Sequence, residues 1–158
     1  MKEFDYYIFI DYSEDLIGYL ILENRVINEI LPKITKFAHY HDLRKKPQYI
    51  RSIKNVITKH ELIKYFLKLK IKKLQATPEI YADLAEFLKK SHNCGIFISI
   101  DDKQYSNFER FIEVVDGDDN RIVRESQLKR GSKEYKLSLI LDTLLNIERL
   151  KQQKWLIK

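Results

Sequence analysis

Tyr6-Tyr7-Ile8-Phe9-Ile10-Asp11-Tyr12-Ser13 decides how the rest of this 158-residue chain is read. The run is aromatic and β-branched, which suits a pleated strand, and it leads to one carboxylate, Asp11. A polar turn, Ser13-Glu14-Asp15, follows, and then a second apolar run, Leu16-Ile17-Gly18-Tyr19-Leu20-Ile21-Leu22. The pair predicts a β-hairpin whose first strand carries an acid where it meets the turn. Ile8 and Ile10 would face one way, Tyr7 and Phe9 the other; a strand apolar on both faces is expected at the centre of a sheet covered on both sides. Residues 25–31, Arg-Val-Ile-Asn-Glu-Ile-Leu, predict a third strand, ended by Pro32, which cannot donate to a ladder. Connections this short pair neighbouring strands antiparallel.

Downstream, the spacing of Ile50, Ile53, Val56 and Ile57, continued by Leu62, Ile63, Phe66 and Leu67, predicts helix over 48–75. Thr58 with Glu61 three residues on has the form of a capping box and predicts a fresh start there. Thr77-Pro78-Glu79 is a strong helix-start signal, and Ile80, Leu84, Phe87 and Leu88 share one face of the helix that follows. Ile96-Phe97-Ile98-Ser99-Ile100 reads as a buried strand reached from that helix, and so parallel to the first. Residues 111–115 and 121–124 flank Asp116-Gly117-Asp118-Asp119-Asn120 and predict a late β-hairpin. That loop lacks the twelve-residue spacing and terminal Glu of a calcium-binding EF-hand. Ser132 is a candidate cap for a last helix, with Leu137, Ile140, Leu141, Leu144, Ile147 and Leu150 as its core stripe and Asp142 among them. Trp155 and Leu156 are expected to dock its end. The expected fold is α/β, one domain over 1–158, with a mixed sheet that opens with a three-stranded antiparallel meander, helices packed on it and a late hairpin.

Composition narrows the function classes. An apolar fraction of 44% is too high for a disordered chain, and four Gly leave no glycine-rich phosphate loop or dinucleotide fingerprint. No apolar run is long enough to span a bilayer, the N-terminal residues lack the pattern of a signal peptide, and the single Cys94 fits a reducing compartment; a cytoplasmic location is expected. Cys94, without a CxxC partner or adjacent base, reads as a small buried hydrophobe. The net charge of +6 is unevenly placed. Residues 1–32 carry two basic and seven acidic side chains, whereas 33–73 carry thirteen basic and two acidic, net +11. Such density is the footprint of a nucleic-acid binder, with Lys45, Lys46 and Arg51 the candidate phosphate contacts beside a loop. A lysine-rich solvated helix face is the other reading of the same segment. A homodimer through the hairpin or the last helix is a further expectation.

Three acids stand out by position. Asp11 ends the first strand, Asp101 ends the strand after the helices, and Asp142 lies inside the apolar last helix. With the two strands parallel and adjacent, Asp11 and Asp101 would converge at one sheet edge, and the helix could bring Asp142 to the same point. Carboxylates gathered in this way repel one another and suit Mg²⁺ or Mn²⁺, ions that activate water and stabilise charge on phosphate oxygens. Each acid also has a structural reading: Asp11 as a turn residue, Asp101-Asp102 as a cap for the segment from Lys103, Asp142 as a solvent-facing partner of Lys136. His39 and His41, on one side of a strand beside Asp42, could join a metal or serve as a base.

In these features the chain resembles the ribonuclease H-like superfamily: the strand-ending Asp11 in Ile8-Phe9-Ile10-Asp11-Tyr12-Ser13, the meander after it, the strand ending at Asp101, and Asp142 in the last helix. The resemblance implies a mixed sheet, cleavage of nucleic-acid strands with divalent metals held by carboxylates, and catalytic and metal-binding roles for Asp11, Asp101 and Asp142. The acid that the superfamily usually supplies from its first helix has no clear counterpart, Glu61 being the nearest choice, and the late hairpin would be an insertion or an interaction arm. The alternative function is a non-catalytic nucleic-acid-binding or protein-assembly module that uses the basic surface of residues 33–73.

Overall fold

The computed structural model describes residues 3–116 and 121–157. Strands β1 (Tyr6–Ser13) and β2 (Leu16–Glu23) form the expected hairpin, closed by Glu14 in the left-handed region (φ 52°). The other strands are β3 (Lys68–Lys73), β4 (Cys94–Ser99) and β5 (Arg121–Arg124), in the sheet order β3-β2-β1-β4-β5. β2 pairs antiparallel with β1 and β3, while β4 runs parallel to β1 and β5 parallel to β4. This is the mixed α/β sheet that the sequence implies, with β1 at its centre.

The sheet separates two cores, as the two apolar faces of β1 require. Tyr7 and Phe9 pack with Phe97 of β4 and with Leu137, Ile140 and Leu141 of the last helix, α5 (Lys133–Ile157). Ile8 and Ile10 pack with Ile80, Leu84 and Leu88 of α3 (Thr77–Lys90) and with Phe108 and Ile112 of α4 (Asp102–Asp116). The α3 face is the one expected from its spacing. Buried Cys94 lies in this second core. The Ser132 hydroxyl accepts the Tyr135 N–H at the start of α5, as a cap should.

Four local readings are corrected. Residues 25–31 are not a strand. Helix α1 (Asn24–Ile30) runs there, because Val26, Ile27 and Ile30 recur at helical spacing and meet the α5-side core together. The meander keeps its three strands, but the third is β3, after an intervening helical excursion. The helix predicted over 48–75 ends early: α2 spans Lys46–Lys59 and Glu61 turns left-handed (φ 51°). There is no capping box at Thr58, whose hydroxyl donates to the Lys54 carbonyl of the preceding turn. β3, Lys-Leu-Lys-Ile-Lys-Lys, is an edge strand in which lysines alternate with Leu69 and Ile71. Such an edge needs little apolar surface, and its lysines discourage pairing with other chains. Finally, 111–115 belongs to α4, with Tyr105, Phe108 and Ile112 turned to one core, and β5 is parallel to β4, so the late hairpin is absent. Residues 117–120 of its expected loop lie outside the described residues, as do the side chains of Trp155 and Leu156.

Gly95 shows how tightly the α5-side core closes on β4. A Cβ there would stand 2.5 Å from Phe4 Cδ2 and 2.9 Å from its Cγ, inside a ring that also packs edge-on against Tyr7 and Phe97. Gly131 has nothing within 4 Å of the same position. Gly95→Ala is therefore expected to lower stability by about 1–3 kcal/mol, the usual range for overpacking. Gly131→Ala should leave the urea midpoint close to that of the parent chain.

Candidate metal and nucleic-acid site

Register places the acid at the end of β1. Asp11 stands opposite Ser99 of β4 and Gly18 of β2, and by alternation it points to the same face as Tyr7 and Phe9, toward α5. Gly18 permits this approach: a Cβ there would lie 3.1 Å from the Leu145 side chain of α5. The middle of α5, residues 137–147, is mostly apolar, yet Ser138, Asp142 and Asn146 recur there at four-residue intervals, and all three are buried. A polar stripe of period four inside a buried helix has to find partners on the sheet or the loops.

Asp142, 6% exposed, accepts the Tyr40 N–H on Oδ2 at 2.9 Å. Asp11 accepts the Tyr12 N–H on Oδ1 at 2.8 Å. Asn146 donates to the Asp142 carbonyl at 2.8 Å and accepts from Arg149 at 2.9 Å. Burial raises the Asp11 carboxyl well above its ordinary value, and the charges of Asp142 and then Glu125 add to the rise, against the Tyr12 N–H and Ser99 hydroxyl. Burial also raises Asp142, and Glu125 adds to it; the Tyr40 N–H, His39 and His41 act the other way. Asp11, Asp142 and Glu125 thus share one field.

A cavity of about 10 Å³, about the size of one water, is lined by Asp11, Glu125, Ser99 and Ser138. Ser99 and Glu125 also line an adjoining cleft of about 350 Å³ that reaches His39, Arg124, Arg130 and Tyr135. His39 Nδ1 is buried there without a hydrogen-bond partner among the described residues. His39 and His41 are not on a strand. The chain enters a 3₁₀ turn at Tyr40–Asp42, and the two rings lie 5.8 Å apart.

The three predicted acids are not all brought together. Asp101 is exposed and caps α4, accepting the Gln104 N–H on Oδ1 at 2.8 Å. Its charge is felt by the Tyr12 hydroxyl, on the opposite face of the sheet from Asp11. Glu61 is exposed and paired with Lys64 at 3.1 Å. Glu125 takes the place beside Asp11 instead. The only trace of it in the sequence is that it immediately follows the last strand, at the same sheet edge. Among the described residues no three His, Cys, Asp or Glu side chains converge closely enough to enclose a metal ion.

Lys45 and Arg51 are exposed at the N-terminal half of α2. Lys46 Nζ lies 5.6 Å from the centre of the Tyr40 ring, as does the Arg149 guanidinium, so two cations flank the residue whose backbone holds Asp142. No described helix is long and apolar enough to cross a membrane.

A scan of protein families finds no matching model, and no curated protein matches the sequence. Solved structures do match in fold. Ribonuclease H2 from Pyrococcus horikoshii OT3 is 15% identical with a TM-score of 0.51, over 94% of this chain and 77% of that one. Ribonuclease HII from Archaeoglobus fulgidus, in a complex with PCNA, is 12% identical with a TM-score of 0.54, over 95% of this chain and 75% of that one. The likeness shows a ribonuclease H-like fold.

Both Asp11 and Asp142 hold a proton more tightly in the folded chain than at their ordinary value of 3.8. The native state therefore binds more protons than the unfolded chain. Their contribution favours folding at pH below 3.8 and is lost as pH rises through the raised folded values. In Asp11→Asn the amide oxygen can still accept the Tyr12 N–H while the repulsion is removed. In EDTA at pH 7 this variant should be more stable by about 1 kcal/mol, a common size for a single substitution. The gain should shrink toward pH 4 in urea titrations.

Proposed function

We propose that this chain is a nuclease-like protein acting on a nucleic-acid backbone, with Asp11, Asp142 and Glu125 as its acidic centre. The observation that carries the reading is geometric: Asp11, near the end of β1, and Glu125, just after the parallel β5, line one small cavity of a ribonuclease H-like sheet, where the charge of buried Asp142 on α5 also reaches Asp11. Asp101, used as a helix cap, is left outside this set. The donors are hard oxygens, which suit Mg²⁺ or Mn²⁺ in kind. Mg²⁺ is commonly held by one or two carboxylates with waters completing its shell, so the lack of a three-ligand enclosure among the described residues does not conflict with it. Asp11 and Asp142 would hold such an ion, with Glu125 beside them. When bound it would supply a Lewis-acidic centre for water and a phosphate oxygen.

The chain's own groups support the same reading. The Tyr12 and Tyr40 N–H groups each hold one carboxylate oxygen, and Asp11 lines the small cavity together with Glu125. Half-buried His39, whose charge reaches Asp142, is placed to hold or pass a proton at its buried Nδ1, which has no hydrogen-bond partner among the described residues. Lys45, Lys46 and Arg51 would take backbone phosphates. Because the structural neighbours are ribonucleases, RNA strands are the first substrates to test. A second reading, a non-catalytic nucleic-acid-binding module, is favoured by one observation, the lack of three converging ligands among the described residues.

Isothermal titration with Mn²⁺ separates the two. Wild-type protein and Asp101→Asn should bind the ion alike, while Asp11→Asn should lose at least tenfold in affinity and any cleavage of single- or double-stranded RNA or DNA. Failure of the wild type to bind metal, with or without a short nucleic acid, would remove the hydrolytic reading and leave the second.

A further inference from the structure

Between the turn that follows α1 and the C-terminal half of α2 lies a pocket of about 340 Å³ that shares no residue with the acidic centre. Lys33, Lys36 and Lys59 line it, with the polar side chains of Thr35, Ser52 and Asn55 and no carboxylate. We propose that this pocket is a binding site for a phosphate group, borne either by an internal phosphodiester of a nucleic-acid strand or by a free nucleotide.

Three features carry the inference. First, the cations are available. Among the described residues neither Lys36 nor Lys59 is in an ion pair, and the nearby acid Glu61 is held by Lys64. Second, one of them is fixed in place. Lys33 Nζ donates to the Tyr65 hydroxyl and lies 4.6 Å from the centre of that ring, so less side-chain freedom is lost when an anion arrives. Third, the neutral groups around the lysines can donate as well as accept: two hydroxyls and an amide, a set that suits phosphate oxygens.

The end of α2 works against an anion, since the negative pole of its dipole lies there. That opposition is weakened because the His60 N–H already occupies the Val56 carbonyl at 3.1 Å, and three full charges outweigh the partial one. The volume exceeds that of a lone phosphate and falls at the small end of ligand pockets, room for a phosphate with its attached sugar.

The test is a titration in EDTA, which makes it independent of metal at the acidic centre. The probes are inorganic phosphate, adenosine 5′-monophosphate and an oligonucleotide of a few residues with hydroxyls at both ends. They are followed by chemical-shift changes in the full chain. Shifts should centre on Thr35, Lys36, Ser52 and Asn55. The double variant Lys36→Gln/Lys59→Gln, which changes only exposed side chains, should weaken binding at least tenfold. With a single strand it should also lower the salt slope by about 0.7, the share of one phosphate contact. Lys89→Gln/Lys90→Gln removes the same charge from α3 and should change little. Binding of the oligonucleotide alone assigns the phosphodiester source, and binding of the mononucleotide or phosphate assigns the free one. No binding of any probe overturns the site, as does an equal loss in the α3 variant or shifts that centre elsewhere.

Discussion

The structure depends on a conflict at one place: α5 buries Asp142 against the strand end that carries Asp11. Two carboxylates in a poorly solvated setting repel each other, and each loses hydration on folding. Among the described residues neither is ion-paired with an arginine or lysine. Each has a backbone N–H, from Tyr12 and Tyr40, with the Ser99 hydroxyl beside Asp11 and His39 and His41 near Asp142, and the apolar packing on either side offsets the rest of their cost. That packing is extensive, because Tyr7, Phe9, Phe97, Leu137 and Ile140 lie along the same face. A site held in this way is rigid at the backbone and strained in its charge, the condition in which a cation or a proton has most to offer.

The same conflict explains the irregular segment before α2. The chain between α1 and α2 has little regular structure, yet it is fastened at several points. Tyr49 of α2 accepts the Ala38 N–H, donates to the Ala38 carbonyl at 3.2 Å and lies 2.9 Å from the Thr143 hydroxyl on α5. Tyr40 sits between the Lys46 and Arg149 cations. These contacts place the Tyr40 N–H over Asp142. A loop with so many side-chain anchors has been selected for position rather than for length, and its position serves the carboxylate.

Legibility in the sequence follows the physics of each element. β1, β2 and β4 were readable because buried strands must be apolar on both faces, and α3 because Pro78 in its first turn and its apolar stripe agree. α1 was misread because Val, Ile and Ile raise strand propensity while their spacing is helical; tertiary packing settled the matter. β3 was invisible because an edge strand needs only alternation, and lysine alternation inside a lysine-rich segment resembles a helix surface. Asp11 and Asp142 were legible as acids in apolar surroundings, where an acid needs a reason. Asp101 shared only half of that signal. It ends a buried strand, but it also opens a helix, and capping accounts for it fully. Glu125 could not be found without knowing that β5 lies parallel beside β4, because the sequence around it has no apolar contrast to mark it.

An acidic centre alone would repel a polyanion, so the placing of positive charge matters as much as the acids. The basic excess of residues 33–73 does not surround the carboxylates evenly. Part of it, Lys45, Lys46 and Arg51, is carried by the first turns of α2, next to the Tyr40 loop that grips Asp142. Another part, Lys33, Lys36 and Lys59, gathers at the far end of the same helix in a separate concavity. Cations thus stand near both ends of α2, one group beside the acids and one away from them, although Lys33 and Lys36 come from the segment after α1. Screening limits each exposed charge to about 8 Å at physiological salt. Neither group can therefore stand in for the other, and a strand that engaged both would be held at two points along its backbone. Two-point attachment would fix direction as well as position, which the centre proposed at Asp11, with few ligands of its own, would need from the basic surface.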